Sequence, residues 1–261
     1  MKQDLNFSID CFTKMGKQHS ICEDYVTYGV DPFPYVVLAD GCSTVKNSDI
    51  GARILTCVTI KLLKLFNKDA HKLCTDLKHL IIHDALEVVS KLDLEPSCLT
   101  ATLIIAYTSN QFVHIYMYGD GYIFMQDKEG LQEYYSISYE NNAPNYLLYQ
   151  VQNPEYNTKK SINLITTRSG CTIPSPDAST EIHLLHKMYP AIMIASDGFG
   201  TFTQSNNFEK LNTFEVVKEA LAFKTVGGKF ITRRLRKMVK TYEKNGIYHF
   251  DDISIGGFHL L

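Results

Sequence analysis

The sequence lacks most of the features that would place it at a glance. It contains no Cys-x-x-Cys pair, and its seven cysteines are odd in number and scattered, which argues against a disulfide framework and against a zinc ribbon. No apolar run approaches the length of a membrane span, and the start, "MKQDLNFSIDCF", has no signal-peptide core. A chain kept in the reducing cytoplasm is expected. The 26 basic and 28 acidic side chains leave a net charge of −2, so no overall pull toward nucleic acid or an anionic membrane is present. Neither internal repeats nor low-complexity tracts occur.

What is present reads as a globular protein of 261 residues, 45% hydrophobic and 21% charged, enough for a sizeable core. Strand-like runs rich in β-branched and aromatic residues come first: "FSIDCFTKMG", "DYVTYGV" and "YVVLADG". Ile50, Ile54, Val58, Leu62 and Leu65 then recur at helical spacing after Ser48, and a second helix is written in Leu73, Leu77, Ile81, Ala85, Val88 and Leu92. "CLTATLIIAYTSN" and "QFVHIYMYGDGYIFMQDKEG" read as a meander with turns at Ser109-Asn110 and Asp127 to Gly130. The Tyr- and Asn-rich stretch 132–179 is expected to form a flap or insertion within one domain spanning 1–261. "AIMIASDG" returns to strand, helices are expected at about 206 to 222 and 229 to 244, and "YHFDDISIGGFHLL" is expected to end as a strand. Strands at both ends with helix pairs between them favour an α+β architecture of sheets packed face to face, helices outside. The basic stretch "TRRLRKMVK" fits the solvated face of a helix.

Three apolar strands run into Asp-Gly: at Asp40-Gly41, at Asp120-Gly121 and at Asp197-Gly198. Two further strands begin beside acidic pairs, Glu23-Asp24 and Asp251-Asp252. Independent tight turns are one explanation, because Asp-Gly is a common reversal. Convergence at one sheet edge is the other. Clustered carboxylates repel unless a cation compensates, which points to hard, oxygen-bound Mg²⁺ or Mn²⁺. Two such ions are a general device for displacement at phosphorus.

The order of these motifs resembles the metal-dependent PP2C-type (PPM) protein phosphatases, bacterial type, over about residues 16 to 258. Glu23-Asp24, "ADG", the Thr-rich "LTATLIIAY", "GDG" for Gly-Asp-Ser, "SDG" and "DDISI" for Asp-Asn-Ile-Thr-Val carry it. The resemblance implies a four-layer α-β-β-α sandwich, with two antiparallel sheets flanked by helices. It implies two Mn²⁺ or Mg²⁺ ions, with a third held more loosely. Asp40 takes the place of the bridging carboxylate and Gly41 offers a carbonyl. Asp197 and Asp251 match ligands of the first metal, Glu23 and Asp24 match partners of the second, and Asp120 matches the third-metal position beside Asp197. The resemblance makes Asp40, Asp197 and Asp251 the expected catalytic core. The implied activity is hydrolysis of phosphoserine or phosphothreonine in proteins. A monomer is expected, with phosphorylated protein substrates, a cognate Ser/Thr kinase as the opposing activity, and neither nucleic acid nor membrane as partner.

The chain departs from the family at several positions. His19 stands where an Arg often holds substrate phosphate, Cys42 stands where eukaryotic members have His, Tyr122 replaces the Arg of Gly-Asp-Ser-Arg, and Thr201 replaces an acidic residue. These losses leave a second reading open, a catalytically inactive member that binds phosphoproteins. Two other patterns are set aside. His79 and His83, with His71 nearby, lack the Glu of His-Glu-x-x-His. Cys42 lacks the Arg of a Cys-x5-Arg phosphate loop, since "CSTVKNS" ends in Ser48.

Overall fold

The computed structural model describes residues 7–65, 73–109, 111–140, 143–152, 163–167, 169, 171–175 and 180–260. Strands β1 (Phe7–Lys14), β2 (Asp24–Gly29) and β3 (Tyr35–Gly41) are followed by helices α1 (Ser48–Leu65) and α2 (Leu73–Lys91). Next come β4 (Ala101–Ser109), β5 (Phe112–Tyr118), β6 (Gly121–Gln126), β7 (Gln132–Tyr139) and the short α3 (Leu147–Gln152). Strands β8 (Asn163–Thr167), β9 (Thr172–Ser175), β10 (Thr180–Leu185), β11 (Ala191–Ala195) and β12 (Thr203–Gln204) lead to α4 (Thr213–Ala220) and α5 (Phe230–Lys244). Then β13 (Ile247–Tyr248) and β14 (Ile253–Leu260) close the order.

Two antiparallel sheets dominate. One has seven strands in the order β1-β14-β11-β6-β7-β8-β9, the other five in the order β10-β5-β4-β3-β2, and β12 pairs with β13 beside them. Each central strand is buried on both faces, which explains why "YVVLADG" and "ATLIIAY" read as continuous apolar runs instead of alternating with polar residues. Val36 and Leu38 of β3 point between the sheets, where they meet Ile192 and Ile194 of β11 and Phe258 of β14. Their neighbours Val37 and Ala39 point the other way, into a core with Leu55 and Leu63 of α1 and Ile81 of α2. On the far side Met193, Ala195, Ile253 and Ile255 pack against Val216 of α4 and Leu235 of α5. The layers are therefore helix, sheet, sheet, helix, as the sequence motifs implied.

Two local readings are corrected. The helix expected from about 206 begins at Thr213: Phe208 adopts φ 56°, and Asn212 caps the helix by accepting from Phe214 N at 2.8 Å. The C-terminal run is two strands, because residues 249–252 leave the ladder to bond elsewhere. His249 Nδ1 lies 2.8 Å from Asp251 O, and Asp252 turns its carboxylate to the loop before β2. Within 132–179 the described residues include β7, β8 and β9, which extend the seven-stranded sheet. The turn at 127–130 is present, with Gly130 at φ 83°, and Asn110 of the other expected turn lies outside the described residues.

Candidate active site

The topology brings acidic strand ends from both sheets to one edge. Asp24 opens β2 and Asp40 nearly closes β3, and the two are direct partners in the antiparallel ladder. From the other sheet come Asp197, just past β11, Asp120, just before β6, and Asp251, two residues before β14. Desolvation raises the pKa of Asp40 well above the usual carboxylate range, and Asp24, Asp197, Asp120 and Asp251 add to it by repulsion. Burial likewise pushes Asp24 and Asp197 up to about 7. Asp40 lies close against both of them.

Neighbouring hydroxyls hold these carboxylates in place. Ser196 is fully buried; its Oγ donates to Asp24 Oδ2 at 2.8 Å and accepts from Ser254 N at 2.9 Å. Thr102 Oγ1 donates to Asp120 Oδ1 at 2.9 Å, and Ser48 Oγ donates to Glu23 Oε1 at 2.6 Å. Gly41 N donates to Glu23 O at 3.2 Å. Glycine is required on both sides of Asp120: Gly119 has φ 110° and Gly121 φ 136°, with Thr102 and the Ala195 carbonyl packed against them. Asp197 heads a single 3₁₀ turn whose Gly198 sits against the Asp252 carbonyl, leaving no room for a Cβ.

Asp252 does a different job from Asp251. It is buried, and its two oxygens accept from Gly16 N at 2.7 Å and Glu23 N at 2.6 Å, tying the 16–23 loop to the start of β14. His19 rides on that loop. Its Nδ1 is 3.1 Å from Asp252 Oδ2 and its Nε2 3.4 Å from Asp251 Oδ1, ion-pair approaches without hydrogen-bond geometry at Nδ1. Burial works against the charged imidazole, yet Asp252, Asp251 and Glu23 outweigh it, so the pKa is raised.

Each departure from the family pattern has a structural counterpart. Tyr122 lies under the Asp197 turn, its hydroxyl filling the space beside Gly200. Thr201 Oγ1 donates to Gly198 O at 2.7 Å and receives Asp251 N at 3.3 Å, joining two acid-bearing segments. Cys42 Sγ is 3.1 Å from Thr44 Oγ1. Tyr146, just before α3, hydrogen-bonds Cys42 and lies near Asp120 and Asp40; burial raises its pKa, and those acids add to the effect. Of the histidines set aside, His79 is exposed, His83 Nδ1 meets its neighbour Asp84 Oδ1 at 3.5 Å, and His71 lies outside the described residues.

The donor set suits a hard divalent cation. Every donor is oxygen, the acids repel one another, and Asp24 Oδ1 is buried with no hydrogen-bond partner among the described residues. Among the described residues, no three His, Cys, Asp or Glu side chains close on a single point as a finished coordination sphere does. Sequence reading missed the supporting groups Ser196, Thr102, Tyr146 and Asp252. Ser and Thr beside Asp-Gly read as ordinary turn residues, and no spacing rule links Tyr146 to Asp120.

The fold is similar to that of solved bacterial phosphatases. The serine/threonine phosphatase Stp1 from Staphylococcus aureus is 14% identical, with 98% of this chain and 95% of that chain covered at a TM-score of 0.62. The catalytic domain of the serine/threonine protein phosphatase PstP, solved in complex with two manganese ions, is 13% identical, with 98% of each chain covered and a TM-score of 0.54. PppA from Pseudomonas aeruginosa, a regulatory component of a type VI secretion system, is 12% identical, covering 98% and 99% at 0.57. No curated protein matches the chain by sequence. Identities this low speak to fold alone. The family pattern for protein phosphatase 2C, however, matches residues 13–240, most of the chain, and the chain therefore belongs to the protein phosphatase 2C family.

Proposed function

We propose that this protein is a metal-dependent serine/threonine phosphatase acting on phosphorylated proteins. The observation that carries this reading is the meeting of Asp24, Asp40, Asp120, Asp197 and Asp251 from two sheets at one edge, with Asp40 crowded by the charges of the other four. Buried like charges are costly, and their concentration is hard to account for without a cation. The two manganese ions of the PstP domain support the same assignment.

In this reading Asp40 would be shared by two Mn²⁺ or Mg²⁺ ions, Asp197 and Asp251 would help hold the first, Glu23, Asp24 and the Gly41 carbonyl the second, and Asp120 a weaker third. Such ions, when bound, supply an activated water and neutralise phosphoryl oxygens. The chain's own part is positional. Ser196 and Thr102 fix Asp24 and Asp120, the Asp252 tether sets the height of the 16–23 loop, and His19 at its crest faces the incoming phosphate with a raised pKa that favours its charged form. Cys42 has no phosphate loop around it, so no covalent phosphoenzyme is invoked.

The test is turnover of p-nitrophenyl phosphate and a phosphothreonine peptide with Mn²⁺, Mg²⁺ or EDTA. Metal-dependent release is expected. An inert wild type that also fails to bind either metal by calorimetry would sink the proposal in favour of a non-catalytic phosphoprotein binder.

A further inference from the structure

Eight of the 26 Lys and Arg residues fall between 218 and 240, where Glu219 is the one acidic residue. In a chain of net charge −2 that is a marked local excess. Helix α5 buries Ile231, Leu235, Met238 and Val239 and exposes Arg233, Arg236, Lys237 and Lys240. A solvated cationic face alone would leave a convex, featureless surface. Instead the helix is flanked by hollows on both sides.

The first is a cleft of about 360 Å³ between the end of α4 and the first half of α5, lined by Phe223, Lys224, Thr225, Phe230, Arg233 and Lys237. Its wall is braced from within. Arg233 Nη2 donates to Gly227 O at 2.7 Å and to Thr225 Oγ1 at 3.1 Å, while Arg234 is engaged by Glu219. Phe223 packs edge-on against Phe230 with ring centroids 4.9 Å apart, giving the cleft an apolar floor. Lys224 and Lys237 have no carboxylate partner among the described residues.

The second hollow, about 460 Å³, lies between α5 and β1, with Lys14, Arg236 and Lys240 on its walls. Helix α5 runs in the same direction as β1: Thr232 N bonds Asp10 Oδ2 near one end, and Lys14 Nζ meets Glu243 Oε1 at 2.6 Å near the other. Past Lys14 the chain enters the loop that carries His19. The basic side chains thus lead from the α4–α5 cleft to the rim of the acid cluster, along a 15-residue helix roughly 22 Å long.

We propose, resting on the phosphatase reading above, that this track docks an acidic stretch of the phosphoprotein substrate. An apolar side chain of that stretch, Leu or Phe, sits on Phe223 in the α4–α5 cleft, and its carboxylates meet Lys224, Lys237 and the exposed cations of α5. An extended chain covers the length of α5 in roughly seven residues, so the acidic stretch lies at least that far from the phosphorylated side chain. The apolar floor is what favours a peptide over nucleic acid, whose backbone would use the cations and leave the floor unfilled.

Binding is tested first without catalysis. A fluorescein-labelled peptide, Glu-Asp-Leu-Phe-Glu-Asp-Glu, is titrated in EDTA against wild type, Lys224→Glu/Lys237→Glu, and Lys128→Glu as a control in the exposed β6–β7 turn. Saturable, salt-sensitive binding is expected, weakened at least tenfold in the double variant and unchanged in the control. In Mn²⁺, a phosphothreonine peptide carrying the same stretch seven residues away should show a KM at least tenfold higher in the double variant with kcat preserved, and p-nitrophenyl phosphate turnover should be the same in both. Equal peptide binding by wild type and double variant overturns the docking proposal, as does tighter binding of a 12-mer single-stranded oligonucleotide. If wild type hydrolyses nothing, the phosphatase reading falls, and the EDTA titration still decides whether the cleft binds acidic peptides.

Discussion

Asp24 and Asp40 stand opposite each other across the β2–β3 ladder, so two carboxyls share one step of one sheet edge. Directly opposed like charges destabilise a strand pair. On the metal-dependent reading proposed above, this arrangement makes the metal-free protein a strained version of the loaded one.

Asp40→Asn removes the charge that feels four neighbouring acids. In EDTA at pH 8 the variant is expected to melt a few degrees above wild type. With Mn²⁺ the order reverses, because wild type gains stability from ions the variant binds poorly, and turnover of p-nitrophenyl phosphate falls at least a hundredfold. Scanning calorimetry with and without Mn²⁺ reads both effects.

The pKa values of Asp24 and Asp197, near 7 against an ordinary 3.8, give a pH dependence of definite sign. A raised folded-state pKa contributes stability that is present in full below about pH 4 and lost as pH climbs through 7. His249 and His259 act oppositely, since burial lowers their pKa and their contribution is lost as pH falls. The urea-unfolding free energy of wild type minus that of Asp24→Asn/Asp197→Asn in EDTA isolates the acid part. That difference should fall between pH 4.5 and 8; a flat profile would contradict it.

Ser196→Ala strands two groups at once, the Asp24 carboxylate and the Ser254 N–H. A loss of about 1–3 kcal/mol is expected, the usual cost of leaving buried polar groups unpaired. Ser196→Thr, which keeps the hydroxyl but adds a methyl to a fully buried site, serves as the comparison in denaturant titration.

Two glycines make a steric test. A Cβ at Gly198 would overlap the Asp252 carbonyl, so Gly198→Ala should cost about 2–4 kcal/mol and disturb activity. Gly130 has open space around it but φ 83°, so Gly130→Ala should cost about 1 kcal/mol and leave turnover intact.

His19→Arg places a permanent, bidentate cation where the family often has one. A lower KM for phosphopeptide is expected, with a loss of the alkaline decline in kcat/KM that deprotonation of His19 produces. His19→Ala should raise KM across the whole pH range.

The sheets and most helices were legible in the sequence because burial on both faces writes itself as unbroken apolar runs such as "YVVLADG" and "AIMIASDG". The acid set was legible for a related reason: every member sits beside a strand end, where the chain changes direction. Asp252 was not, since adjacent acids look alike in sequence and only the fold turns one toward the backbone of Gly16 and Glu23. The late start of α4 was hidden as well. Phe208 reads as an apolar helical position, yet it is exposed in a left-handed turn.

Strand β14 lies between β1 and β11, and Asp252 at its head fastens the loop that follows β1. On a ribosome making about 5–20 residues per second, β1 therefore has no sheet partner for roughly 10 to 50 s after it emerges. The acid cluster cannot be completed on a nascent chain before β14 has emerged. On the phosphatase reading proposed above, activity begins only after synthesis has passed β14, so a chain stalled before that strand is silent however complete its acidic motifs appear.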